Sequence, residues 1–364
     1  MIKKKSLSVK VITFFIENPL SILLLTLPFI PLAEVMGWSA LWIFGLAALG
    51  IIPLASIIGE ATEAIAIHTG PRIGALLNAT LGNAAELIIT IVAVRAGLLE
   101  LVKASITGSI LGNLLLVLGL SMVVGGLRHG IQKFDQQAAS RNAILLVLSV
   151  LALLIPSILS HSIGSAGSPK VEALSLGVAL VMIVLYILGL LASSRSSKES
   201  LVDDVARAVS PKWSKSAALI ILTLSTVGIV WLSETLVRVV EPVMNGLGIS
   251  EFFLGIILIP LIGNVAEHLV AVQMAGRNRM TLSVEIAVSS SLQIALLIAP
   301  LLVFISLAMG NPLQLIFNSF ELLALMAGVL ISALVSFDGE SSWLEGASLL
   351  AIYLILGLAF FLLP

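Results

Sequence analysis

Apolar residues run along this chain in long uninterrupted stretches rather than in alternation. Between Gly, Pro and charge clusters they can be placed at roughly residues 12–36, 38–67, 72–97, 101–127, 141–160, 171–192, 217–240, 250–275, 281–308, 313–336 and 343–362. About 20 apolar residues carry a helix across a bilayer, whereas barrel strands would alternate every second residue. The pattern therefore predicts an all-α integral membrane protein with about 11 transmembrane helices. Pro53 falls within the second and Pro156 near the end of the fifth. A Ser-rich segment of mixed charge, 193–216, divides the chain in two.

The halves repeat each other. Adding 181 to Gly74, Gly82, Asn83, Glu86, Ser109 and Leu111 gives Gly255, Gly263, Asn264, Glu267, Ser290 and Leu292 without a gap, and the same offset takes Glu60 to Glu241. The matches fall on glycines and polar positions, which are rare in a membrane chain. Spans two to six thus read as a copy of spans seven to eleven, and an odd number of spans per copy places the copies upside down to one another. The predicted layout is an N-terminal segment and first helix (1–37), a first inverted repeat (38–192), a cytoplasmic linker (193–216) and a second inverted repeat (217–364). Inverted repeats with a polar, glycine-interrupted helix in each half point to a transporter with its site near the midplane.

Composition and charge narrow this further. Of 364 residues 59% are hydrophobic and 11% charged, and the mean hydropathy is +1.16. No soluble domain of this size hides so much apolar surface. A net charge of −1 argues against a nucleic-acid surface, and the lack of cysteine excludes disulfides and thiolate sites. With the N-terminus in the cytoplasm, only Arg95, Lys103, Lys170 and Arg238 of the 19 basic residues fall on the external side. That bias is the positive-inside rule. Lys3, Lys4, Lys5 and Lys10 read as a cytoplasmic start rather than a signal peptide, and an odd span count puts the C-terminus outside, in a plasma membrane.

The chemistry lies in Gly-Asn-Ala-Ala-Glu at 82–86 and Gly-Asn-Val-Ala-Glu-His at 263–268. A charged side chain at the bilayer centre costs at least about 2.5–3.5 kcal/mol on insertion scales, so such residues mark function. Residues three apart share a helix face, so Asn83 with Glu86, and Asn264 with Glu267, point the same way. Two such helices crossing would bring four oxygen-bearing side chains together, and loosened backbone carbonyls beside the glycines would add more. This is the all-oxygen shell of a hard cation, and Ca2+, with six to eight flexible ligands, fits it better than Mg2+. Two carboxylates sharing a dry site also oppose full ionisation, so protons and metal compete for the same oxygens. His268 reads either as a proton relay or as an ordinary hydrogen-bonded histidine. Asn113 and Gln293 read as lining side chains and Ser290 as an accessory residue of the cation or proton path, whereas helix packing accounts equally well for Ser105, Ser109, Ser289 and Ser291. Glu60 and Glu63 near the cytoplasmic end of the second span, with Glu234 and Glu241 toward the other face, would form acidic steps that draw cations in. Glu285 reads as peripheral.

The paired motifs, with Gly-Glu-Ala-Thr-Glu at 59–63, Gly-Ser-Ile-Leu-Gly-Asn at 108–113 and Ser-Ser-Leu-Gln-Ile at 290–294, resemble the two alpha-repeats of calcium/proton antiporters in the cation/calcium exchanger superfamily. The resemblance implies one helix followed by two inverted five-helix repeats. It also implies that Glu86 and Glu267 hold the cation with help from Asn and Gln side chains, and that spans two and seven move during access switching. Ca2+ and protons would be transported substrates, with no cofactor and no nucleic acid; the lipid bilayer is the surrounding partner, and a homo-oligomer is compatible. Sodium-coupled relatives carry more polar motifs, whereas Ala84, Ala85, Val265 and Ala266 leave few oxygens for sodium. The expected activity is Ca2+ export against protons by alternating access. The alternatives are a sodium/calcium or monovalent cation/proton exchanger on the same scaffold, a passive channel, and an intramembrane acid hydrolase, for which motifs of zinc or nucleophilic catalysis are missing.

Overall fold

A computed structural model describes residues 19–165, 167–196 and 213–363. Lys3, Lys4, Lys5 and Lys10, together with residues 197–212 of the linker, lie outside the described residues. After a tight 3-10 stretch, Pro19–Thr26, the helices are α1 (Phe29–Val35), α2 (Ala40–Thr69), α3 (Pro71–Leu81), α4 (Ala84–Arg95) and α5 (Leu99–His129). A two-residue strand β1 (Gln132–Lys133) precedes α6 (Gln136–Ile163) and α7 (Pro169–Ser196). The second half holds α8 (Lys215–Arg238), α9 (Val240–Leu247), α10 (Glu251–Gly276), α11 (Met280–Ala308), α12 (Ser319–Val335), β2 (Glu340–Ser341) and α13 (Trp343–Leu362).

Among the described residues, eight helices are long and apolar enough to cross a membrane: α2, α5, α6, α7, α8, α10, α11 and α13. Two shorter apolar stretches, Pro19–Val35 and Ser319–Val335, accompany them. The predicted third span is not one helix. It breaks at Gly82 and Asn83 into α3 and α4, because glycine is a poor helix former and Asn83 departs from helical geometry at φ −98°, ψ 31°. Pro53, by contrast, sits inside the continuous α2; neighbouring helices in a bundle can tolerate the bond that proline removes.

The predicted tenth span, 313–336, starts late. Asn318 caps α12 through a reciprocal box with Glu321, the Asn318 side chain accepting from Glu321 N at 2.9 Å and Glu321 Oε2 accepting from Asn318 N at 2.8 Å. The residues before it run extended, with Leu313, Leu315 and Phe317 buried. Backbone of this kind, buried among apolar side chains, needs partners for its N–H groups. Serine hydroxyls supply them: Ser306 accepts from Leu313 N (2.8 Å), Ser175 from Leu315 N (3.1 Å) and Ser157 from Phe317 N (3.0 Å).

Apolar residues on the outside of the bundle face where lipid would be, and include Leu148, Val181, Leu224 and Leu358. Small residues allow close approach inside it. Helices α5 and α10 touch where Gly108 meets the Ile256 carbonyl and Gly255 meets Ala104 and Leu101. Each of α5, α10 and α11 contains a π-helical turn, at Gly112–Val117, Leu254–Leu258 and Ile294–Ile298. Helix α8 packs along α2. Its end carries ion pairs, Arg95 to Glu234 at 3.3 Å and Arg238 to Glu34. At the opposite end, β1 and β2 pair antiparallel, Gln132 facing Ser341 and Lys133 facing Glu340.

A methyl group on Gly108 would overlap the Ile256 carbonyl oxygen, whereas one on Gly45 meets nothing within 4 Å. Gly108→Ala should therefore destabilise the protein by about 1–3 kcal/mol, and Gly45→Ala, inside α2 with room for the methyl, should leave it as stable or raise its stability by up to about 1 kcal/mol. Thermal unfolding of the two variants in detergent checks this.

Candidate cation site

The break between α3 and α4 decides where Glu86 sits. It lies in the first turn of α4, where the free N–H groups and the positive end of the helix dipole favour an anion by about 0.3–1 kcal/mol. Asn83 occupies the capping position of that helix, yet its side chain makes no capping bond. A capping Asn is worth about 1 kcal/mol. Here the amide reaches across to α11 instead, Nδ2 donating to Gln293 Oε1 at 2.5 Å and Oδ1 accepting from Ser290 Oγ at 3.0 Å. The Ser290 hydroxyl also stands beside the Glu267 carboxylate.

Glu267 belongs to α10, which continues as an unbroken α-helix through Gly263 and Asn264. The expected loosening therefore appears in the first motif and not in the second. What Gly263 provides is room: a methyl group there would stand 3.0 Å from Glu86 Oε1 and 3.3 Å from Glu86 Cγ. The Glu86 side chain thus lies against the backbone of the second motif, close enough to Glu267 for the two charges to repel. Glu86 is 7% exposed and Asn83 and Asn264 are fully buried.

Asn264 Nδ2 donates to Pro260 O (3.0 Å) and to Ser109 Oγ on α5 (3.4 Å). Its Oδ1, like Glu267 Oε2, is buried and has no hydrogen-bond donor. Two acceptor oxygens without donors next to a second carboxylate are costly unless something positive completes them. The four oxygens do not converge equally, because Asn83 Oδ1 is already taken by Ser290 while Asn264 Oδ1 is free. Ser109 and Ser290 are the residues joined by the offset of 181, and each bonds the Asn of the opposite half. That repetition was available in the sequence as a signal that these serines do more than pack helices.

The other candidates fall around this centre in different ways. His268 Nε2 lies 3.1 Å from Asn113 Oδ1, both side chains being buried, so these two form a polar pair of their own one step along α10. Glu60 is half-buried on α2 and not without an interaction partner, and Glu63, three residues on, is exposed. Glu241 is exposed, but Glu234 is ion-paired with Arg95 and so is not the free acidic step that the sequence suggested. Thr90, not anticipated, ties the first turn of α4 by donating to the Glu86 carbonyl at 2.7 Å. Among the described residues no group of three or more His, Cys, Asp or Glu could hold a metal ion. The centre is two carboxylates with neutral amide and hydroxyl oxygens.

Residues 39–195 and 217–362 match the family described as sodium/calcium exchanger protein. The chain belongs to this family. It is 45% identical over 362 residues to a Ca(2+)/H(+) antiporter of Aphanothece halophytica, covering 94% of this chain and 96% of the relative. A Ca(2+)/H(+) antiporter of Synechocystis is 42% identical, over 94% and 98% of the two chains. Among solved structures, the Ca2+/H+ antiporter protein YfkE superposes with a TM-score of 0.82 at 39% identity, covering 95% of this chain and all of that one. The family is one of transporters, and the chain is a multi-pass membrane protein.

Gly263→Ala pushes a methyl group into the Glu86 carboxylate. It should weaken Ca2+ binding by roughly tenfold, about 1.4 kcal/mol, with little effect on folding; radioactive Ca2+ binding to purified protein measures it.

Proposed function

We propose that this chain is a secondary-active antiporter that exports Ca2+ from the cytoplasm in exchange for protons. The observation that carries the reading is the Glu86 carboxylate laid against Gly263 and facing Glu267, beside two buried acceptor oxygens that lack donors, Glu267 Oε2 and Asn264 Oδ1. A divalent ion there is neutralised by two carboxylates and gains further oxygen ligands. When it leaves, the two negative charges repel in a dry site, and protons take its place. Coupled to alternating access, this competition is exchange. The antiporters named above at 42–45% identity support the same assignment.

The scaffold we infer has eleven spans. The eight long helices, Pro19–Val35, Ser319–Val335 and the α3 and α4 pair taken as one interrupted span make up that number. It comprises residues 1–37 with the first helix, an inverted repeat at 38–192, a cytoplasmic linker at 193–216 and a second repeat at 217–364. Supporting this layout are the two Asn–Ser contacts related by 181 and the π-helical turns of α5 and α11, which lie at related positions. The N-terminus faces the cytoplasm, the C-terminus the outside, and the membrane is the plasma membrane. Glu86, Glu267, Asn83 and Asn264 form the cation shell; Ser290, Gln293, Asn113, His268, Glu60 and Glu63 line or serve the path. The protein needs no cofactor.

Sodium coupling is the nearest competitor. The side chains between each Asn and Glu are Ala84, Ala85, Val265 and Ala266, with Ala84 and Ala85 buried among apolar neighbours, so oxygens for separate sodium ions are scarce. In sodium-free proteoliposomes a pH gradient should drive concentrative Ca2+ uptake. A sodium requirement would overturn proton coupling, and uptake that never exceeds equilibrium would indicate a channel. Glu86→Gln and Glu267→Gln should each abolish exchange while the protein stays folded, and acidifying the side from which Ca2+ binds should lower its apparent affinity. The absence of native cysteine allows a clean test of orientation. Arg277→Cys should react with an impermeant thiol reagent only from the cytoplasmic side, and Asn245→Cys only from outside.

A further inference from the structure

A further carboxyl group lies deep in the bundle, away from the Glu86 and Glu267 pair. Glu321, in the first turn of α12, is 1% exposed. Its Oε2 accepts from Asn318 N, but Oε1 is buried with no hydrogen-bond partner. Beside it stands the Thr107 hydroxyl of α5, itself fully buried and without a partner, short of hydrogen-bond geometry. The charged groups that act on Glu321 among the described residues are Lys103 and, beyond it, Glu100, both on α5; none comes from α6 or α13, which also pack against α12.

The Lys103 ammonium does not close an ion pair with Glu321. It bonds the Ile316 carbonyl at 3.0 Å and the Glu100 carboxylate at 2.6 Å. Two carboxylates therefore share one ammonium, and the one left over is the buried one. An ionised carboxylate with a bare oxygen is the expensive state at such a position. A proton on Oε1 removes the charge and makes the acid a donor to the Thr107 oxygen, whereas to an ionised Oε1 the Thr107 hydroxyl can only donate, leaving the buried charge in place. A metal ion is disfavoured, because the side chains beside Glu321 offer an ammonium and a single hydroxyl rather than a shell of oxygens. Side-chain exposure falls from 65% at Glu100 to 13% at Lys103 and to the buried Glu321, a graded approach from the end of the bundle that carries Arg95.

We propose that Glu321, facing Thr107 and flanked by Lys103, is a proton-binding site separate from the cation pair and reached from the Arg95 end of the bundle. The proton comes from solvent at that end and forms an O–H bond on Oε1. Because Glu321 caps α12 and Lys103 holds the Ile316 carbonyl, the site also anchors the extended segment before α12.

The inference does not depend on the antiporter reading, and it can be tested where that activity is absent. Infrared difference spectra between acid and alkaline buffer, taken on folded Glu86→Gln/Glu267→Gln protein, should retain the band of one protonated, water-shielded carboxyl. Adding Glu321→Gln should remove that band. Thr107→Val, which keeps shape and should fold, should shift the band's frequency by deleting the acceptor. No such band in the double variant, a band that survives Glu321→Gln, or a band unmoved by Thr107→Val would overturn the assignment. Should Glu321→Gln fail to fold, the Thr107→Val shift alone decides.

Discussion

The structure is organised by the cost of holding Glu86 and Glu267 together in a dry interior. Two like charges there can coexist only with a cation or with protons, so everything nearby is arranged to keep the oxygens close without satisfying them fully. Gly263 gives up its side chain so that Glu86 can lie against the backbone. Asn83 gives up a helix cap, worth about 1 kcal/mol, to hold Ser290 and Gln293. The break before α4 places a helix N-terminus under one carboxylate, while the other rests in the middle of an intact helix. Sequence symmetry thus becomes structural asymmetry, with the two glutamates held by different means.

Much of the fold could be read in advance because bilayer-spanning helices have their lengths set by apolar thickness. The predicted 343–362 matches α13, Trp343–Leu362, and 281–308 matches α11 to within a residue. The α3 and α4 interruption and the late start of α12 escaped for physical reasons. Leu313, Leu315, Ile316 and Phe317 are apolar, so a hydropathy pattern extends the helix through them. What keeps them extended is a set of hydroxyls on Ser157, Ser175 and Ser306, two of them far away in sequence.

The same limit applied to the site. Glu86, Glu267 and both asparagines stood out because charge and amide groups are rare in an apolar run and recur at a fixed offset. Whether an oxygen is free or already bonded depends on partners that no spacing reveals, as with Asn83 Oδ1 and Asn264 Oδ1. Glu234 failed as a free charge for the same reason, its partner Arg95 lying in the other half. Glu321 passed unnoticed because a Glu at a helix start is ordinary in sequence; its unusual character comes from burial and from an ammonium engaged elsewhere.

The extended segment before α12 has a mechanical consequence. Its three alternate N–H groups are held by hydroxyls, two of them from separate helices, α6 and α7, and Lys103 of α5 grips a carbonyl between them. Sliding it would bare several donors at once, each at about 1–3 kcal/mol. Helices α5, α6, α7, α11 and α12 are in this way riveted at one end into a stator. At the end of α8, by contrast, the ion pairs Arg95–Glu234 and Arg238–Glu34 are largely exposed and break at little cost, so that helix is held there far less firmly.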